Sequence, residues 1–153
     1  MVSSIELKFK LYEKCEEYIE SKIANSKMAL DLLKSTGEGD IKSSAGDKFE
    51  TEIAMRHFEQ EKFSNQLSDA MKLKKVLPLL HPDKTTPKVS LGSLVITNNG
   101  NFYISISAGK MLVGGKTYFA LSGGSPVAKI LEGGTPGMVV TINNKQVTIL
   151  EVY

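Results

Sequence analysis

Three carboxylates, Glu38, Asp40 and Asp47, stand among glycines and serines in the stretch KSTGEGDIKSSAGDKFETE, residues 34–52. Ionised carboxylates bring negative charge and accept hydrogen bonds. Three or four neutral residues would suffice to reverse a chain, so the acids need a reason. Glu38 and Asp40 follow the expected C-terminus of a helix, where the macrodipole disfavours anions by a few tenths of a kcal/mol, up to about 1. A local rule broken at a turn hints at function; the plainer reading is a solvated turn with Lys42 offsetting the charge. Asp47 has a structural use of its own. With Ser44 it forms a capping-box-like pair opening a second helix, which contributes about 1 kcal/mol.

Two long helices must present this turn. From Ser3 to about Leu33 there is no proline or glycine, and Ile5, Phe9, Tyr12, Ile19, Ile23, Leu30 and Leu33 recur at three- and four-residue steps with charges between them. Ser3 and Glu6 have capping-box spacing at its start, and Gly37 marks its expected stop. A second amphipathic run covers about Ala45 to Leu77, with Phe49, Ile53, Phe63, Leu67, Ala70 and Leu77 on one stripe, interrupted by Arg56, Gln60 and Lys74. Met28, Met55 and Met71 read as packing in the seam. Each helix would be roughly 45 to 50 Å long. Joined by a short turn, the two run antiparallel as a coiled-coil hairpin over residues 1–77, with the acids at its tip.

Residues 78–87, PLLHPDKTTP, carry three prolines and read as a linker. Beyond it the texture is that of strands. SLVITNN, NFYISIS, KTYFALS, MVVTINN and QVTILEVY are short, rich in β-branched and aromatic residues, and separated by Gly or Asn turns. SPVAKILEGG interrupts them as a short helix, with Ser125 as cap and Pro126 at its first position. The spacing therefore predicts an α+β protein: a helical hairpin, then a small antiparallel β domain with one short helix over residues 88–153.

The totals exclude several classes. The 153 residues are 41% hydrophobic and 24% charged, with a formal net charge of +2, too small to imply a nucleic-acid or membrane surface. Through Leu77 there are 13 basic and 14 acidic residues, and after it 6 and 3. The single cysteine, Cys15, excludes an intrachain disulfide framework and reads as an inert thiol on a helix. With no run of 18 apolar residues and no signal-peptide core, the expectation is a soluble cytoplasmic protein. His57 and His81 have no Cys or His at ligand spacing, which argues against zinc. The HPDK run, His81–Lys84, duplicates the tripeptide of J-domain chaperone partners, but strands follow where that family needs a helix. The glycine pairs lack the context and lysine of a phosphate loop and read as turns.

One ordered set of residues resembles a known family. Val89, Gly92, Ser93, Val95, Tyr103, Ile104, Ser122, Ser125, Pro126, Leu131, Gly133, Gly137 and Val140 follow the pattern of the C-terminal domain of the GreA/GreB transcript-cleavage factors, and the N-terminal hairpin fits the same family. The resemblance implies an FKBP-like C-terminal domain and a regulator that is not itself an enzyme. It implies docking on bacterial RNA polymerase through the Ser122, Ser125 and Pro126 turn, and insertion of the hairpin into the secondary channel. There, tip acids help hold the polymerase's Mg²⁺ and a water, so that the polymerase hydrolyses the 3′ end of backtracked RNA; a second ion stabilises both the attacking and the leaving oxygen. No cofactor of the protein's own is implied.

Gly39, Asp40, Ile41, Ala45 and Phe49 match the frame of the family's tip, so Asp40 carries over as the tip acid. Ser43 stands where a second acid belongs, and Glu38 or Asp47 is the substitute. Ala128, Ile130 and Met138 also depart from the pattern and mark a divergent branch. Two further readings remain: a channel binder that inhibits without promoting cleavage, and a prolyl isomerase. The isomerase needs a concave aromatic-lined pocket, for which the C-terminal half has only Phe102, Tyr103, Tyr118, Phe119 and Tyr153.

Overall fold

The computed structural model of the chain describes residues 3–40 and 46–153, with side chains described for residues 3–35 and 50–153. Helix α1 runs over Ser4–Asp40 and α2 over Gly46–Lys74. The backbone amide of Glu6 donates to Ser3 Oγ at 3.2 Å, so the first helix starts at the expected cap. It does not stop at Gly37, however, and continues through Gly39 to Asp40. A glycine inside a helix costs only about 1 kcal/mol relative to alanine, which a helix already propagating for nine turns tolerates. Part of the loop expected over residues 34–52 is therefore helical backbone.

Packing divides the chain into two compact units: Met1–Tyr18 with Lys75–Tyr153, and Ile19–Lys74. The opening turns of α1, expected in the hairpin, thus belong by packing to the unit that contains the sheet. In the Ile19–Lys74 unit the helices run antiparallel. Lys74 pairs with Glu20 at 3.2 Å, Asn25 and Ser26 lie across from Gln66 and Asp69, and Leu30 and Leu33 lie across from Arg56 and Gln60. The methionines are not in this seam. Met28 and Met55 are more than 60% exposed, and Met71 also faces outward.

The other unit holds a six-stranded sheet in the order β3-β4-β2-β1-β6-β5, formed by β1 (Leu94–Thr97), β2 (Gly100–Ser105), β3 (Gly109–Val113), β4 (Lys116–Ser122), β5 (Val139–Ile142) and β6 (Lys145–Val152). It is mixed, not purely antiparallel: β2 and β4 pair in parallel, Phe102 against Phe119 through Ser105 against Ser122. Parallel neighbours need a crossover. Here β3 supplies it as a strand, passing beyond the position that β4 then fills. The five-strand expectation missed β3, whose run GKMLV is short and opens on glycine. Its signal was the Gly114-Gly115 pair, which has positive φ at both residues and closes a two-residue hairpin between Val113 and Lys116.

Helix α3 (Pro126–Leu131) packs on one face of the sheet. Its Ala128 and Leu131 join Val89, Val95, Ile104, Ile142, Val147 and Ile149 in the apolar core. The opposite face, which includes Tyr103 and Ser105, meets the start of α1: Cys15 Sγ lies 3.6 Å from Ser105 Oγ. The buried stripe of this segment is Lys8, Leu11 and Cys15. Phe9, which the periodicity placed inward, is instead 42% exposed.

Gly92 is a fixed point of the unit. Its φ is +91°, and a Cβ there would lie 2.3 Å from the Leu80 carbonyl oxygen. Gly92→Ala should therefore destabilise the fold by about 2 to 4 kcal/mol through positive-φ strain and the clash, seen as a lowered thermal midpoint; an unchanged midpoint would contradict this close approach.

Candidate functional site

The expected acids fall at facing helix ends. Glu38 and Asp40 belong to the last turn of α1, and Asp47 is the second residue of α2, with only residues 41–45 between the helices. The side chains of Glu38, Asp40 and Asp47 lie outside the described residues, as does Ser43. The backbone alone defines the electrostatics. Two acids stand at the negative end of one helix dipole, with no basic residue in that last turn, while Asp47 stands at the positive end of the other. Among the described residues no group of three or more His, Cys, Asp or Glu is placed to hold a metal ion.

Ser122, Ser125 and Pro126 are brought together in one turn between β4 and α3. Ser125 N–H donates to the Ser122 carbonyl at 3.1 Å, and Ser125 Oγ accepts from Ala128 N–H at 3.2 Å. The Ser125 hydroxyl is thus the N-cap of α3, and Pro126 occupies the first turn, where no amide hydrogen is needed. Pro126, Lys129 and Ile130 face outward. Beside the turn is a hollow of about 100 Å³ lined by Val89, Leu91, Ile104, Gly123, Ala128 and Glu132. That is below the 300–1,000 Å³ of small-molecule sites, but it has room for one side chain of a partner. Tyr103 and Tyr118, weighed above as pocket aromatics, are buried, while Phe119 is partly exposed.

The sequence reads Cys15 as an inert thiol; the burial of Lys8, and the closeness of Cys15 to Tyr103, went unread. Lys8 is fully buried and donates to the Lys84 carbonyl; burial lowers its pKa, and the nearby Asp83 carboxylate partly opposes this. Burial also pushes the Cys15 thiol up to about 11 and raises Tyr103, whose hydroxyl has no hydrogen-bond partner among the described residues. A thiol so protonated at neutral pH is no nucleophile. Lys8, Leu11 and Cys15 are the buried stripe of α1 in this unit, and their spacing on one helical face was the available signal.

No family model matches the chain, and no curated protein matches it. Among solved structures, one titled "Structure of the transcription factor Gfh1" is similar over 93% of this chain and 92% of that one, with 16% sequence identity and a TM-score of 0.36. No helix among the described residues is long and apolar enough to cross a membrane.

Two outcomes follow. Ser125→Ala should cost about 1 kcal/mol of stability, within the range of lost caps, and Ser125→Asp should restore it; equal stability of all three would deny the capping role. For Cys15, the unfolded chain releases the thiol proton from its ordinary 9.0 while the folded chain holds it to about 11. Folding stability is therefore lost as pH rises through that window, by about 1.4 kcal/mol per unit. Comparison with Cys15→Ala across pH 8 to 11 isolates this slope from that of Lys8, which has the opposite sign; parallel curves would refute it.

Proposed function

We propose that the chain is a regulator of transcription elongation that binds bacterial RNA polymerase, with the helical pair entering the secondary channel and the sheet-containing unit docking outside. The observation that carries the reading is the placement of Glu38, Asp40 and Asp47 at the adjoining ends of an antiparallel helix pair. Anions at a helix C-terminus are locally unfavourable, so they are accounted for by a cation met elsewhere. The ordered motif supports the architecture that this reading needs, since Val89, Gly92, Ser93, Ile104, Ser125 and Leu131 build the sheet-containing unit.

In this mechanism the protein supplies carboxylate oxygen and the polymerase supplies the Mg²⁺ and the hydrolytic site. Asp40 orients the ion and its water toward the 3′ end of backtracked RNA, with Glu38 or Asp47 as the second acid; no cofactor is resident. The turn at Ser122–Pro126, with its outward Pro126, Lys129 and Ile130 and the adjacent side-chain-sized hollow, is the docking face. Ser43 favours a second reading: with that acid missing, the chain occupies the channel and inhibits without promoting cleavage.

Backtracked elongation complexes incubated with the protein and Mg²⁺ separate the two. Cleavage stimulation predicts shortened RNA, and Asp40→Asn should lower it about a hundredfold, the scale of losing one electrostatic stabiliser, while leaving binding to core polymerase intact. Binding without shortened RNA selects the inhibitory reading. Loss of binding by Asp40→Asn would sink the division between delivery arm and grip.

A further inference from the structure

Strand β3 is an edge of the sheet, and among the described residues no strand pairs with its outer side. Register places Lys110 opposite Phe119 and Leu112 opposite Thr117, so these four share one face, and Phe102 on β2 joins them with its ring 6.2 Å from that of Phe119. This is the α3 face of the sheet, but here it is open: Leu112 is 59% and Phe119 39% exposed. The charge on β3 and β4 has a single sign, Lys110 and Lys116 with no acid on either strand. Between Asp83 and Glu132 the chain has no acidic residue, and its charged residues are Lys84, Lys88, Lys110, Lys116 and Lys129.

From this juxtaposition we infer that the β3 edge is a docking site for an extended acidic segment of a partner protein, added to the sheet as a further antiparallel strand. The unpaired backbone groups of Gly109–Val113 match a peptide backbone, which a nucleic acid does not offer. Apolar side chains on one face of the added strand would cover Leu112 and Phe119, and carboxylates on its other face would meet Lys116, which register places opposite Val113. Lys110 disfavours a second copy of this chain, because antiparallel pairing of β3 with β3 about Met111 would bring the two Lys110 ammonium groups onto one face. At the opposite edge, β5 is Val139–Ile142 with no charged residue of its own, and carries no such preference.

The test uses the full chain and two labelled peptides, one alternating Glu and Val and one alternating Lys and Val, followed by fluorescence anisotropy and by amide chemical shifts. The inference predicts at least tenfold tighter binding of the Glu/Val peptide and shifts concentrated at residues 109–113. Lys116→Glu should reverse the preference, and Leu112→Ser should weaken both peptides. Failure of the Glu/Val peptide to bind at millimolar concentration, or shifts centred on β5, would overturn it. So would tighter binding of an oligothymidylate that the Glu/Val peptide cannot displace, or a dimer in sedimentation that Lys110→Glu disrupts. Asp40 is remote from this site in sequence, so Asp40→Asn should bind the peptides normally even if the polymerase reading fails.

Discussion

The sheet-containing unit depends on the packing of the first turns of α1 against the sheet face that α3 leaves uncovered. A small sheet with one bare apolar face would expose too much surface to fold stably. Leu11 and Cys15 are fully buried on the stripe that meets that face, and burying a side chain of leucine size contributes roughly 1.5 to 3 kcal/mol. Against this stand the desolvated Lys8 ammonium, answered by the Lys84 carbonyl, and the unpaired Tyr103 hydroxyl, which costs about 1 to 3 kcal/mol. Apolar burial and a buried polar group of limited cost thus meet on one short helical segment. That segment is also the beginning of the helix whose last turn contains Glu38 and Asp40.

The residues behind the family resemblance are, on inspection of their contacts, mostly fold residues. Val89, Val95, Ile104 and Leu131 are core. Gly92 allows the Leu80 carbonyl to approach, and Ser93 Oγ accepts from Ser90 N–H at 2.9 Å and bonds to Thr86. They report on architecture, and architecture alone does not assign activity. The proposed activity rests instead on the acids at the helix ends and on the outer surfaces, where Pro126 and Ile130 on one side and Leu112 on the other are apolar and exposed.

Local chemistry was legible in the sequence; choices made by tertiary packing were not. Ser125-Pro126 announced α3 because a cap and a first-turn proline act within a few residues. Five strands were readable from their β-branched runs, and the Asn143-Asn144 turn from its dipeptide. The parallel β2–β4 pairing depends on where a hairpin returns, which no local signal encodes. The buried face of α1 was misjudged by about one residue: a stripe with Phe9 inward competes with one containing Lys8, and the sheet selects the latter. Met28 and Met55 face outward because Ser26, Leu30 and Arg56 hold the seam-side positions. At the tip, residue types and order were legible while side-chain geometry lies outside the described residues.

The central claim is that the end of the helix pair meets the RNA 3′ end inside the polymerase. A photo-crosslinking residue in place of Ile41, on the protein bound to a backtracked elongation complex with 3′-labelled RNA, tests it directly. The account predicts a labelled adduct with the RNA 3′ end, lost when the crosslinker is moved to the exposed Lys145. Adducts confined to the outer surface of the polymerase, with no label transferred from Ile41 to RNA, would contradict it.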